Sequence, residues 1–175
     1  MAVPDAAAGR RLLRRAGFRV ARRRVFESNL ILDRAGELRS AGALLRVREV
    51  HGRGMLTYKG PAEAGKHKSR EEIEVPLESP SAMCGILGRV GFAPAFRYEK
   101  FRTEFTDGAG LATLDETPIG TFFELEGEPA WIDGAAARLG FTESDYLTAS
   151  YARLYFDYCR QNGLPPADMV FPRVV

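Results

Sequence analysis

Polar and apolar side chains alternate along seven stretches of this chain, and this period of two most restricts the fold. Successive side chains of a β-strand point to opposite faces of a sheet, so residues two apart share a face. In one stretch, Glu72 and Glu74 share one face while Ile73 and Val75 share the other. The pattern predicts strands over Arg19–Leu32, Leu44–Val50, Met55–Lys59, Ser69–Val75, Phe96–Phe105, Leu111–Asp115 and Thr121–Glu126.

Helix signals lie between and after these strands. Three of the predicted helices stop at a glycine that is followed by phenylalanine, and glycine is the residue most often found just past a helix end. Short turns between the strands favour an antiparallel sheet with helices packed outside it, an α+β domain. The length of 175 residues favours one domain over residues 1–162, with an irregular tail at 163–175. The predicted helices are Pro4–Gly17, Ser79–Gly91, Asp133–Gly140 and Thr142–Asn162.

One face of the predicted sheet, called the polar face here, is almost entirely ionised. A solvated sheet with an apolar inner face and a charged outer face is one interpretation. In the other, the sheet curls until this face lines a cavity, and burying so many charges is costly without a counter-charged ligand. The polar face comprises Arg46, Arg48, Thr57, Lys59, Arg70, Glu72, Glu74, Lys100, Arg102, Glu104, Thr113, Asp115, Phe122, Glu124 and Glu126.

The second interpretation also indicates which ligand the cavity would hold. Arginine side chains bind phosphate in a bidentate manner, so the cations suit a polyphosphate. Carboxylate oxygens are the ligands that Mg²⁺ and Mn²⁺ prefer, and Glu72, Asp115, Glu124 and Glu126 supply them. We therefore expect the charged side chains of the separate strands to converge on one cavity.

Six motifs in this order resemble the CYTH superfamily, the triphosphate tunnel metalloenzymes, and come closest to its bacterial class IV adenylate cyclase-like branch. The resemblance covers about residues 2–162 and implies an antiparallel eight-stranded β-tunnel. Members include class IV adenylate cyclases and thiamine, inorganic and RNA triphosphatases. The motifs are Leu45-Arg46-Val47-Arg48, Leu56-Thr57-Tyr58-Lys59-Gly60, Ser69-Arg70-Glu71-Glu72-Ile73-Glu74-Val75, Tyr98-Glu99-Lys100-Phe101-Arg102, Leu114-Asp115 and Phe123-Glu124-Leu125-Glu126-Gly127.

The resemblance also implies a role for individual side chains. Asp115 matches an acid that serves the metal or the attacking water, and Lys59 is the second predicted catalytic residue. The metal, Mg²⁺ or Mn²⁺, is expected to bind to Glu72, Glu74, Glu124 and Glu126. The triphosphate is expected to bind to Arg46, Arg48, Lys59, Lys68, Arg70, Lys100 and Arg102.

The implied function is metal-dependent processing of ATP, tripolyphosphate or thiamine triphosphate. The reaction is either cyclisation of ATP to cyclic AMP and pyrophosphate or hydrolysis of a terminal phosphate. A non-catalytic nucleotide- or polyphosphate-binding module is the alternative.

The two cysteines, Cys84 and Cys159, form no disulfide framework, and no apolar run reaches the length of a membrane span, so we expect a cytoplasmic protein. We expect no specific nucleic-acid partner, and a homodimer is a further expectation.

One departure from the family pattern concerns the first strand. Family members begin with a strand that reads Glu-x-Glu-x-Lys, whose glutamates bind metal, and residues 1–5 resemble the stretch that follows it. An internal repeat points to the same place, because the helix predicted over Ser79–Gly91 follows a charged strand whereas the helix predicted over Pro4–Gly17 does not. The sequence is therefore expected to correspond to an N-terminally shortened form of an active enzyme or to a binding module.

Adding a Glu-x-Glu-x-Lys strand before Met1 tests this expectation. The extended chain should gain Mn²⁺-dependent turnover, because the added carboxylates supply metal ligands, whereas the chain as given should show little or none. The measurement is release of cyclic AMP and phosphate from ATP, tripolyphosphate and thiamine triphosphate, with both chains side by side. Full turnover by the chain as given would show that the glutamates of the other strands suffice.

Overall fold

The structure, a computed structural model, describes residues 1–63 and 69–173. None of the described helices is long and apolar enough to cross a membrane. The strands are β1 (Ala2–Val3), β2 (Arg19–Asp33), β3 (Leu44–Val50), β4 (Arg53–Lys59), β5 (Glu72–Leu77), β6 (Ala93–Thr106), β7 (Leu111–Thr117) and β8 (Gly120–Glu126). The α-helices are α1 (Ala6–Arg15), α2 (Glu37–Ser40), α3 (Pro80–Arg89), α4 (Pro129–Arg138) and α5 (Tyr151–Gln161).

All eight strands belong to one antiparallel sheet, which confirms the predicted α+β class and the eight-stranded sheet. The strand order is β1-β8-β7-β6-β2-β3-β4-β5. Within the part of the chain that the structure describes, no backbone pairing joins β1 to β5, so hydrogen bonds do not close the sheet. The registers pair Arg46 with Thr57, Thr57 with Glu74 and Arg102 with Asp115, so the predicted face-sharing of these residues is correct.

Strand β1 is the one strand of the sheet that the alternation of side chains did not predict. Ala2 pairs with Phe122 and Val3 with Thr121, which places β1 before α1, where the internal repeat calls for a strand. Two residues are too few to show an alternation of side chains, and neither Ala2 nor Val3 is charged.

The chain forms two compact units. Among the described residues, the first comprises Met1–Phe26, Lys100–Ser150 and residues 171–173, and the second comprises those within Glu27–Glu99 and Tyr151–Val170. Strands β2 and β6 contribute residues to both. The core of the first unit contains Met1, Val3, Leu13, Phe18, Phe105, Ala112, Leu114, Phe123, Ala135, Ala136 and Leu139. The core of the second is smaller and contains Leu32, Val47 and Leu77, packed against Leu30, Leu56, Met83, Cys84, Leu87 and Phe92.

Three helices end as the repeated glycine–phenylalanine pairs predict. At the end of α3, Gly91 has a φ of +92°, and the Phe92 amide donates to the Leu87 carbonyl at 2.9 Å. This is the Schellman arrangement, in which a left-handed residue lets the next amide reach back across the last turn. The ends of α1 and α4 have the same geometry, with Gly17 and Gly140 in the left-handed region.

The helices differ from the sequence prediction in three respects. The helix α4 begins at Pro129 rather than Asp133, because proline suits the first turn of a helix and the chain enters it directly from β8. The predicted helix Thr142–Asn162 is in fact a 3₁₀ turn at Glu143–Asp145 followed by α5. Asp145 accepts hydrogen bonds from the backbone and side chain of Thr142, a capping box that starts the 3₁₀ turn, and the turn ends at Tyr146, whose backbone is extended. Helix α2, a single turn, is absent from the predicted helices.

Candidate functional site

The polar face is buried where its charges are densest. Lys100 is 2% exposed, Arg102 6%, Asp115 0% and Arg46 6%, and Thr57 is fully buried beside Arg46. The opposite face carries the apolar cores of the two units. A charged outer face in contact with solvent, the first of the two interpretations of the sequence, is therefore wrong for these residues.

In the first unit, one carboxylate binds two cations. Lys100 Nζ donates to Asp115 Oδ2 at 2.8 Å, while Arg102 donates from Nε to Oδ1 at 2.8 Å and from Nη2 to Oδ2 at 2.6 Å. The strands β6 and β7 place Arg102 directly opposite Asp115, which allows this bidentate contact. Arg102 Nη2 also donates to Glu124 on β8. We call Lys100, Arg102, Asp115 and Glu124 the Asp115 cluster.

Both carboxylates of the Asp115 cluster are ionised. Burial opposes ionisation of Asp115, but the positive charges of Lys100 and Arg102 outweigh it and hold its pKa well below the ordinary value. Burial also opposes ionisation of Glu124, and again Lys100 and Arg102 outweigh it and lower its pKa. Two positive and two negative charges thus face one another, so the cluster carries no net charge.

In the second unit, Arg46 lies within a network of oxygen acceptors. Its Nη2 lies 3.1 Å from Thr57 Oγ1 and 3.5 Å from Glu74 Oε1, and its Nη1 lies 3.5 Å from the Tyr98 hydroxyl. The Thr57 hydroxyl donates to the same Glu74 oxygen at 2.9 Å. Glu74 therefore anchors both Arg46 and Thr57.

The neighbouring Arg48 is held by two side chains from β2. Its Nε donates to Asn29 Oδ1 at 3.2 Å and lies 3.5 Å from Glu27 Oε2. Glu27 and Asn29 are both fully buried. Sequence reasoning did not select either of them. The Glu27-x-Asn29 spacing was the available signal, since it extends the same alternation onto the face that carries Arg48.

Lys59 and Glu72 face each other across β4 and β5. Lys59 Nζ donates to Glu72 Oε1 at 2.6 Å, and Arg70 Nε lies 3.4 Å from the same oxygen. Burial lowers the pKa of Lys59, and the positive charges of Arg46 and Arg70 lower it further against the opposing effect of Glu72. Arg70 precedes β5, which begins at Glu72 rather than at Ser69.

The remaining predicted site residues lie as follows. Glu126 is two residues beyond Glu124 on β8 and shares its face. Glu72 and Glu74 belong to the second unit and Glu124 and Glu126 to the first. Lys68, a predicted triphosphate ligand, lies outside the described residues. Within residues 1–63 and 69–173, no group of three or more histidine, cysteine, aspartate or glutamate side chains is arranged to hold a metal ion.

The CYTH domain family model matches residues 2–137, most of the chain. The chain belongs to the CYTH domain family. Its relatives include a protein of Methanocaldococcus jannaschii named a putative adenylate cyclase, which is 30% identical over 115 residues, covering 65% of this chain and 66% of the relative.

Solved structures have the same fold as this CYTH chain. A putative adenylate cyclase from Vibrio parahaemolyticus superimposes with a TM-score of 0.76 at 20% identity, covering 87% of this chain and 92% of the other. A putative adenylyl cyclase from Hippeastrum, described as having a dominant triphosphatase activity, superimposes with a TM-score of 0.64 at 21% identity and covers 94% of each chain. At these identities the likeness establishes the fold.

Replacing Asp115 with asparagine should destabilise this CYTH chain by about 3–5 kcal/mol at neutral pH, because the buried cations Lys100 and Arg102 would lose one of the two carboxylates that neutralise them. Because the pKa of Asp115 is lower in the folded chain, Asp115 becomes protonated at a higher pH in the unfolded chain than in the folded one. The stability that Asp115 contributes is therefore complete above about pH 5 and is lost as the pH falls below the unfolded value of 3.8. Urea unfolding at several pH values measures both effects.

Asp157→Asn is the matched control for this prediction. Asp157 also accepts hydrogen bonds from two arginines, Arg153 and Arg160, but all three lie on one helix and both arginines are largely exposed. Exposed ion pairs contribute about 0–1 kcal/mol, so this variant should lose little stability. Equal losses in the two variants would show that burial of the Asp115 cluster is not the source of the effect.

Proposed function

We propose that this chain binds a triphosphate through the buried cations of the polar face and processes it together with Mg²⁺ or Mn²⁺. The observation that carries the proposal is the burial of Lys100, Arg102 and Arg46 on a face of a sheet, where a purely structural protein would place apolar side chains. Polyphosphate is the ligand class that suits several arginines and lysines at once.

In this proposal, carboxylates orient the cations before the ligand arrives. Asp115 fixes the direction of the Lys100 ammonium and the Arg102 guanidinium, and Glu27 and Asn29 do the same for Arg48. Pre-oriented donors stabilise the charge of a transferring phosphoryl group without reorganising during the reaction. Because Asp115 has a low pKa and uses both oxygens on cations, we assign it this positioning role.

The metal is proposed to bind together with the triphosphate. Glu124 and Glu126 are two carboxylates on one face of β8, and Mg²⁺ is commonly bound by one or two carboxylates plus substrate phosphates and water. In the proposal, these two carboxylates are the protein's ligands at such a shared site. When bound, the ion would neutralise charge on the phosphoryl oxygens. The Arg102 contact with Glu124 would then be exchanged for one with phosphate.

Lys59 is proposed to transfer a proton. Its lowered pKa makes the neutral amine more accessible than in an ordinary lysine, as proton transfer near neutral pH requires. The proton would come from the ribose hydroxyl in cyclisation of ATP or from water in hydrolysis of a terminal phosphate. The names of the relatives, a putative adenylate cyclase and a neighbour with triphosphatase activity, support these two reactions.

A non-catalytic triphosphate-binding module is the second candidate. The observation that favours it is that three of the predicted metal ligands are already paired with basic side chains. The pairs are Glu124 with Arg102, Glu72 with Lys59 and Glu74 with Arg46. A protein of this kind would bind the triphosphate and show no turnover with any metal.

Tripolyphosphate or ATP with Mn²⁺ should raise the thermal unfolding temperature, because a ligand that binds only the native state stabilises it by mass action. Arg48→Ala and Arg102→Ala should each abolish most of that shift, since each removes a charge-assisted contact with phosphate. Differential scanning fluorimetry at several ligand concentrations measures the shift. Arg153→Ala, at an exposed position on α5, is the control and should keep it. An unchanged shift in both test variants would place the phosphate site elsewhere.

Lys59→Arg separates catalysis from binding. Arginine keeps the positive charge and the contact with Glu72 but does not lose its proton, so ligand affinity should stay within a few-fold while turnover falls by about 100-fold or more. Calorimetry with tripolyphosphate and the cyclic AMP and phosphate assays measure the two quantities, using the form of the chain that turns over. Equal turnover in Lys59→Arg and the parent would show that Lys59 only binds.

A further inference from the structure

Two buried donor atoms of the second unit lack an acceptor. Asn29 is fully buried and Arg46 is 6% exposed, yet Asn29 Nδ2 and Arg46 Nε have no hydrogen-bond partner among the described residues. Buried polar groups in native proteins are almost always hydrogen-bonded, so each such atom calls for an explanation. Both atoms are N–H donors, and the missing partner is therefore an acceptor.

The orientation of the Asn29 amide follows from its neighbour. Arg48 Nε can only donate, so the atom of Asn29 that lies 3.2 Å from it must be the carbonyl oxygen. The Asn29 NH₂ group is consequently directed to a different partner. Had the amide the opposite orientation, two donors would face each other and the buried oxygen would be the atom without a partner.

The two donors lie on the same face of adjacent strands. Asn29 is directly opposite Arg48 in the β2–β3 register, and Arg46 is two residues from Arg48 on the same face. On this face of β3, Arg48 already has Glu27 as a counter-charge and Arg46 has Glu74. An ionised phosphoryl group offers several acceptor oxygens at once and therefore suits the two remaining N–H groups.

We propose that Asn29 is a triphosphate-binding residue. Its Nδ2 and the Nε of Arg46 donate to phosphoryl oxygens, while its Oδ1 keeps the Arg48 guanidinium in position beside them. The Asn29 side chain thus donates to the ligand and at the same time accepts from the Arg48 guanidinium. The inference rests on the proposed function, since it names a further residue that binds the same ligand.

The direct test is nuclear magnetic resonance of the full chain with tripolyphosphate and Mg²⁺. The side-chain NH₂ signals of Asn29 and the Nε–H signal of Arg46 should shift and exchange more slowly with water at saturating ligand, because both groups gain an acceptor. Asn29→Asp and Arg46→Lys assign the signals. Unchanged signals in a chain saturated with ligand would overturn the proposal and would indicate that these donors bind water.

Substitutions provide the second readout. Asn29→Ala and Asn29→Asp should each weaken tripolyphosphate binding by about 10- to 100-fold, as expected for a hydrogen bond to a charged group. Asn29→Asp keeps the acceptor for Arg48, so a residue that only positioned Arg48 would lose affinity in Asn29→Ala alone. Ser28→Asp places the same negative charge one residue away on the opposite face and should bind with nearly the parent affinity.

The outcomes separate this inference from the function on which it rests. If tripolyphosphate does not bind to the parent chain at all, the proposed function fails. If the parent binds and both Asn29 variants bind equally well, the function stands and the role of Asn29 is wrong. Urea unfolding without ligand checks that each variant is folded.

Discussion

The salt bridges between Asp115 and its two cations are the interaction on which the charged part of the first unit depends. Lys100 and Arg102 are nearest neighbours on one face of β6, and two buried positive charges at that spacing repel each other. Asp115 engages both cations with its two oxygens, and Glu124 supplies the second negative charge. Loss of either carboxylate would leave an excess of buried positive charge, which is costly.

The second unit follows the same rule with different residues. Arg46 is compensated by Glu74, Arg48 by Glu27 and Lys59 by Glu72, so each of these cations has its own carboxylate. This has a consequence for the metal. Glu72 and Glu74, which family resemblance assigns to metal binding, are already paired with basic side chains, and our proposal therefore places the metal at Glu124 and Glu126.

Much of this arrangement could be predicted from local patterns. The period of two correctly placed Arg46, Thr57 and Glu74 on one face, because the direction of a side chain depends only on its position along its own strand. The glycine–phenylalanine pairs located three helix ends for a similarly local reason. Strand β1 and helix α2 are too short to show a period, and the apolar pattern that predicts one long helix does not mark the break before α5.

The sequence alone determined which side chains share a face and that the shared face is ionised. It did not reveal that the face is buried, nor that Glu27 and Asn29 belong to it as partners of Arg48. The pattern of one strand carries no information on which strand lies beside it or what covers it. Those facts come from pairings between residues far apart in the chain, such as Arg48 with Asn29 and Arg46 with Tyr98, and only the tertiary structure decided them.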